Sequence, residues 1–319
     1  MYEKKGFDII IGNPPYVRQE DIGDPNDKLS AKDYKALLQK VVRSEYPYYF
    51  KTKEKIDGKS DLYTYFYLKS LSLLNPNGVH TFICSNSWLD VGYGTWVQKF
   101  LLSYCYVHFI IDNHAKRSFA NADVNTIISV IDSPVELKQN LNQDFMYKFV
   151  AFKKPYDQVV FSENLIEIEN LRTNIVSNEI FRSYPITISQ LFSNGSEIPD
   201  RTSVTVEPLY IGEKWGGIYH RAPNVFFSIM EKGEFLKLKD VANVRFGLKS
   251  GCNEFFFLDQ QKIVDWGIEN EFLRKIFKNP RESKNIHLGK SEIKHSIVYC
   301  DIEKELVLRV RHKLKKLYI

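Results

Sequence analysis

The run Phe7-Asp8-Ile9-Ile10-Ile11-Gly12 leads directly into Asn13-Pro14-Pro15-Tyr16, residue types that can do chemistry at the end of a strand. Three consecutive isoleucines suit a strand buried on both faces, and the paired prolines stop its hydrogen-bond ladder and leave a rigid loop. Each residue before a proline is held extended, so the Asn13 side-chain amide and the Pro14 carbonyl can both point at one guest. An exocyclic NH2 has two hydrogens, and two acceptors satisfy it. Accepting both bonds draws the amine out of conjugation with its ring and localises the nitrogen lone pair, making it nucleophilic without a general base. Tyr16 supplies a flat face for stacking. These types suggest methylation of a planar amino nitrogen, whereas a bare Pro-Pro pair reads only as a turn closing a strand.

Such a loop has to be held by a sheet. After a polar, Tyr- and Lys-rich insertion (Glu20 to Ser60), Asp61 can cap a helix from about Leu62 to Leu74, which the turn Asn75-Pro76-Asn77-Gly78 ends. Apolar groups lie on nearly every side of that helix, as in a core element. Strands follow at Val79 to Cys84, Tyr106 to Asp112 and Asn125 to Ile131, with Phe119 in the loop between the last two. Strand and helix alternate as in an α/β fold with mostly parallel pairing and a last hairpin that can be antiparallel.

The uninterrupted stretch from Phe7 to Val17 resembles the amino-methyltransferase family whose motif is a strand followed by Asp, Asn or Ser, then Pro-Pro and an aromatic residue. The resemblance implies S-adenosylmethionine as methyl donor and Asn13, Pro14, Pro15 and Tyr16 as catalytic residues. Asp61 through Leu74, Asn77-Gly78-Val79, Ser87-Trp88-Leu89 and Phe119-Ala120-Asn121-Ala122-Asp123-Val124-Asn125-Thr126 are similar to the TaqI-like adenine-N6 DNA methyltransferases. In that family an aromatic residue matched by Phe119 contacts the flipped adenine opposite the motif tyrosine, which implies a clamp of Tyr16 and Phe119. Stacking in such a clamp offsets the few kcal/mol that unstacking a base costs. Without the family, Phe119 is as readily a plug under a loop.

Lys214-Trp215, Arg221-Ala222-Pro223 and Leu238 through Phe256 resemble the start of the TaqI-like target-recognition domain, with Ser250 where threonine is usual. This implies DNA contacts from Arg245, Lys249, Ser250 and Asn253. Gly247 and Gly251 permit a tight turn and Lys249 offers a charge to a phosphate; alone, two glycines four apart are a hairpin signal. The fold the resemblance implies is α/β: the C-terminal part of a Rossmann-like class I methyltransferase sheet (residues 1–150), a connector (151–205) and a partial α+β target-recognition domain (206–319).

In this family the glycine-rich cofactor loop precedes the Asn-Pro-Pro-Tyr strand, and only twelve residues do so here, so most of the S-adenosylmethionine site is expected upstream. Val307 to Ile319 is basic and amphipathic with no stop signal, which suggests an element cut short. The expected activity is site-specific methylation of adenine N6 in double-stranded DNA within a restriction-modification system, with the isolated segment inactive. A DNA-recognition module without catalysis and glutamine-N5 methylation of a protein are the alternatives. A type IIG nuclease would carry Glu-x-Lys metal ligands. Glu136-Leu137-Lys138 and Glu292-Ile293-Lys294 fit by chance frequency, so any nuclease is expected upstream. A net charge of +5 with 14% aromatic residues permits nucleic-acid binding without demanding it. Cys84, Cys105, Cys252 and Cys300 lack ligand spacing, so no metal and no disulfide are expected. No apolar run approaches a membrane span and no signal peptide opens the chain, which suggests a cytoplasmic protein. The recognised base sequence and the oligomeric state are not legible.

Overall fold

The computed structural model describes residues 6–51, 55–115, 124–135, 141–172, 175–197, 208–233, 236, 238–243, 247–279, 281, 289 and 292–300. Two compact units divide the chain, Met1–Gly233 and Glu234–Ile319.

Seven strands form the sheet of the first unit: β1 (Phe7–Gly12), β2 (Leu74–Ser85), β3 (Val107–Asn113), β4 (Thr126–Asp132), β5 (Met146–Phe152), β6 (Val176–Ser177) and β7 (Phe181–Thr187). Their order is β1-β2-β4-β3-β5-β7-β6. β1 is parallel to β2 and β3 to β5, while the other four pairs are antiparallel. Five strands therefore point one way, with β4 and β7 against them. The carboxyl ends of β1, β2, β3 and β5 share one edge of the sheet, where α/β folds place their chemistry.

The strand buried on both faces is corrected at β1. Among the described residues it pairs only with β2, and Phe7, Ile9 and Ile11 are exposed, Ile11 at 77%. An isoleucine run states an affinity for burial but not how many neighbours supply it. α1 (Ala31–Glu45) rises from the insertion, with Ser30 Oγ accepting the Asp33 N–H at 3.2 Å. α2 (Leu62–Leu71) is shorter than expected, and its Tyr63, Thr64, Tyr65, Tyr67, Leu68 and Leu71 are buried. The turn at residues 75–78 lies within β2: Phe7 pairs with Leu74 and Ile9 already with Val79, so the intervening residues loop out as a bulge. Asn75 Oδ1 accepts the Asn77 N–H there at 2.9 Å.

The expected connector is part of the sheet. β7 pairs with β5 along its whole length and β6 with the start of β7. Residues 208–233 also belong to the first unit, because Trp215 is fully buried against Trp88, Phe149 and Tyr147 at ring separations of 5.9, 5.7 and 6.3 Å. α3 (Gly94–Tyr104) fixes that segment: Gln98 Nε2 donates to the Glu213 carbonyl at 2.9 Å and its Oε1 accepts from the Tyr210 hydroxyl at 2.8 Å. The second unit has a three-stranded antiparallel sheet of β10 (Phe257–Leu258), β12 (His295–Val298) and β11 (Leu273–Ile276), following the short pair β8 (Ser196–Glu197) and β9 (Leu209–Tyr210) of the first unit. Leu258, Ile268 and Phe272 form its core. Among the described residues no helix is long and apolar enough to cross a membrane.

Two predictions follow from this packing. Trp215→Ala removes a ring that joins both sides of the first unit's core and lowers its unfolding free energy by about 3–5 kcal/mol, measured by urea denaturation. A loss below about 1 kcal/mol would place that ring outside the core. The second concerns acid. His80 is buried, with Nε2 2.8 Å from Ser70 Oγ, and burial pushes its pKa down to about 3. Burial likewise pushes His220 down to about 4. Both are neutral when folded and take up protons near pH 6.5 when unfolded. Their stabilisation is full above that pH and is lost as pH falls toward the folded values. Urea titrations between about pH 4 and 6 should show stability falling with acid, and His80→Gln should remove about one proton's share of that slope, roughly 1.4 kcal/mol per pH unit. An unchanged slope in that variant would show that His80 is protonated in the fold.

Candidate active site

β1 delivers its last residue onto a ring. Gly12 pairs with Phe82 in β2, and a Cβ at Gly12 would lie 2.6 Å from that ring. Phe82 cannot give way easily, because His80 and Tyr67 pack against it at 4.1 and 5.8 Å. The glycine therefore lets the chain run close over β2 and emerge at Asn13. Asn13 is exposed, Pro14 buried and Pro15 exposed. Tyr16 turns inward, and its hydroxyl donates to the Ile83 carbonyl of β2 at 3.1 Å. Burial, with a smaller effect from the nearby Cys84, pushes the Tyr16 phenol up to about 12, so it is a neutral donor with a fixed ring.

That ring forms one wall of a cavity of about 210 Å³, lined also by Val17, Arg18, Asp61, Tyr63, Ser85, Asn86, Ser87, Val124 and Asn125. The lining comes from the loop after β1, the start of α2, the end of β2 and the entry to β4. Ser85 Oγ lies 2.9 Å from Ser87 Oγ, and the Asn86 N–H donates to the Asn125 carbonyl at 3.0 Å, joining two of these segments. Hydroxyl and amide residues thus share the lining with Tyr16. At this volume, below the roughly 300 Å³ at which cofactor and drug sites begin, the cavity does not fit S-adenosylmethionine.

Asp61 holds the cavity's mouth. One carboxylate oxygen accepts the Gln19 N–H at 3.0 Å and the other accepts the Tyr93 hydroxyl at 2.8 Å, which is 2.7 Å from the Tyr63 hydroxyl. The Leu62 N–H donates to the Val17 carbonyl at 3.0 Å. Tyr93 is set by Gly94, where a Cβ would fall 1.8 Å from the Trp88 carbonyl oxygen. The side-chain cap foreseen for Asp61 is absent, since its carboxylate serves the loop instead.

Of the residues expected from sequence, Tyr16 lines the cavity and Asn13 and Pro14 stand just before it at the strand end, outside the lining. Phe119 and Arg245 lie outside the described residues, although Val124 and Asn125, which follow the Phe119 loop, do reach the wall. In the second unit Lys249 and Asn253 are exposed, and Ser250 Oγ donates to Asn253 Oδ1 at 2.6 Å. Gly251, at φ 74°, takes a left-handed turn that favours glycine. Sequence reasoning missed Arg18, Ser85, Asn86 and Ser87 as wall residues and the latch role of Asp61. Ser85 to Ser87 were within reach, because they follow a strand that ends on the same edge as β1. Among the described residues no group of three His, Cys, Asp or Glu side chains could hold a metal ion.

Residues 1–119 match the model of the Eco57I restriction-modification methylase family. The chain is 24% identical over 270 residues to the type II methyltransferase M.BstVI of Geobacillus stearothermophilus, covering 81% of this chain and 38% of that protein. It is 23% identical over 292 residues to the type II methyltransferase M.AccI of Acinetobacter calcoaceticus, covering 91% and 44%. The chain thus spans about two fifths of the length of these curated relatives. The crystal structure of the type IIG restriction endonuclease BpuSI aligns with a TM-score of 0.45 and 14% identity, over 98% of this chain and 33% of that one.

Proposed function

We propose that this chain carries the target-base side of a site-specific DNA methyltransferase that modifies adenine N6 in double-stranded DNA, within a restriction-modification protein of the type IIG kind. The observation that carries the reading is the Tyr16 ring, pinned through its hydroxyl to the Ile83 carbonyl on the wall of a base-sized polar cavity, three residues after Asn13. The flipped adenine stacks on Tyr16, and Phe119 covers its other face. Its N6 hydrogens are accepted by the Asn13 side-chain oxygen and the Pro14 carbonyl, which leaves the lone pair on N6 to act as nucleophile. With its phenol pushed up to about 12 and its proton donated to the Ile83 carbonyl, Tyr16 releases no proton near pH 7, so its contribution is stacking. S-adenosylmethionine supplies the methyl group when bound, and no part of its site is assigned to the cavity. Arg245, Lys249, Ser250 and Asn253 in the second unit contact the DNA as part of target recognition.

The test is transfer of labelled methyl groups to adenine-containing duplex DNA by the full-length protein. Asn13→Ala is expected to lower kcat by about 10²–10³ while DNA binding persists, the loss seen when one preorganised polar group is removed. Label recovered in protein would instead favour glutamine methylation, and sequence-selective binding by the wild type without transfer would make the protein a recognition module. Tyr16→Phe should retain most activity, because the ring remains. Tyr16→Ala should lose about 1–3 kcal/mol of stacking, read as a 5- to 150-fold fall in kcat/KM. Equal losses in both variants would mean that the hydroxyl, and not the ring, matters.

A further inference from the structure

Residues 20–60, inserted between β1 and α2, have no part in the site described so far, yet they place a positive strip near the cavity. Lys32, Lys35, Gln39 and Arg43 follow one another on α1 at intervals of three, four and four, the spacing of a single stripe along a helix. The neighbouring face of the helix is committed to the core through Tyr34, Leu38 and Val42, and Lys35 and Gln39 are half-buried at its border. Of the carboxylates of α1, Asp33 lies at the helix start, where it accepts the Ser30 hydroxyl at 2.6 Å, and Glu45 is paired with Lys69. Arg43 lies over the Phe50 ring at 5.8 Å, which orients it without neutralising it.

The strip is tied to the cavity by one contact. Lys35 Nζ donates to Gln19 Oε1 at 3.2 Å, and the Gln19 backbone is held by Asp61 on the cavity wall. The partner of Lys35 is a neutral amide, which leaves its charge unoffset, and Gln19 follows the exposed wall residue Arg18 in the chain. The approach to α1 is itself stiffened, because the Asp24 carboxylate accepts the N–H groups of Asn26, Lys28 and Leu29, each at 3.0 Å. Those bonds hold the Asp24 carboxyl below its ordinary range.

We infer that Arg18, Lys32, Lys35 and Arg43 form a phosphate-binding strip that carries the sugar-phosphate backbone of the modified strand past the base cavity. This rests on the DNA reading above and adds the residues that track the backbone. From Lys32 to Arg43 the helix rises roughly 16 Å, which at about 3.4 Å per nucleotide of one strand spans about five nucleotides. A line of three cations with one amide among them suits a repeating anion and reads no base edges.

The experiment measures affinity of the full chain for a mixed-sequence 30-base-pair duplex at several salt concentrations, for wild type, Lys35→Gln and the triple variant Lys32→Gln/Lys35→Gln/Arg43→Gln. Poly-glutamate serves as a second polyanion, and urea midpoints confirm that the variants fold. Each lost phosphate contact lowers the slope of log affinity against log salt by about 0.9. The single variant should therefore lose about 0.9 and the triple about 2.7, so that raising salt from 50 to 200 mM weakens the triple variant about 40-fold less than wild type. If wild type binds duplex and the triple variant keeps its slope, the strip is wrong while the DNA reading stands. A variant that keeps its DNA slope but loses poly-glutamate assigns the strip to an acidic protein and likewise overturns the inference. Absence of duplex binding by wild type at low salt overturns both. Should the triple variant fail to fold, the slope of the single variant decides.

Discussion

The carboxylate of Asp61 is the point on which the site depends. It accepts a backbone N–H from the loop that follows the Asn-Pro-Pro-Tyr run and a phenol from the residue before α3, while its own backbone opens α2. Three segments far apart in sequence therefore meet at one charged group. Hydrogen bonds to a carboxylate are worth about twice neutral ones, so this junction holds the loop more firmly than its half-exposed position suggests. The result is a Tyr16 ring fixed at both ends, by the rigid prolines before it and by the Ile83 carbonyl at its hydroxyl.

Behind this junction the two glycines act as spacers and not as hinges. Gly12 lets β1 pass over the Phe82 ring, and Gly94 lets α3 start against the Trp88 carbonyl. Each removes a Cβ where the backbone of one element meets another, so the site's geometry is set by close packing. The buried tryptophans Trp88 and Trp215 continue that packing into the segment beyond β7, so Tyr210, Trp215 and Tyr219 are as much a part of the first unit's core as the early strands.

The motif loop was legible because prolines state their constraint locally: whatever follows β1 cannot continue a ladder. The strands after β2 were legible for a similar reason, since their apolar runs are bounded by polar turns. Neighbours were not. The exposure of Ile9 and Ile11 depends on which strands flank β1, and a run of isoleucines does not encode that. The bulge at residues 75–78 has the residues of a turn, and only its pairing with β1 keeps it inside a strand. β7, with Pro185 inside it, falls within the stretch 151–205 that was read as connector. In the sheet Pro185 pairs with Lys148 on one side and lies beyond the end of β6 on the other, where no partner needs its missing N–H. Asp61 was read as a cap from its place before a helix, whereas its actual partners, Gln19 and Tyr93, lie 42 and 32 residues away.

The central claim is that adenine enters the cavity beside Tyr16. Photo-crosslinking the full-length protein to duplex DNA that carries 8-azidoadenine in place of adenine, with adducts mapped by mass spectrometry, tests it directly. The account predicts adducts on Tyr16 to Arg18 or Ser85 to Ser87, lost on competition with unmodified duplex. Efficient crosslinking confined to residues outside this cavity would contradict it.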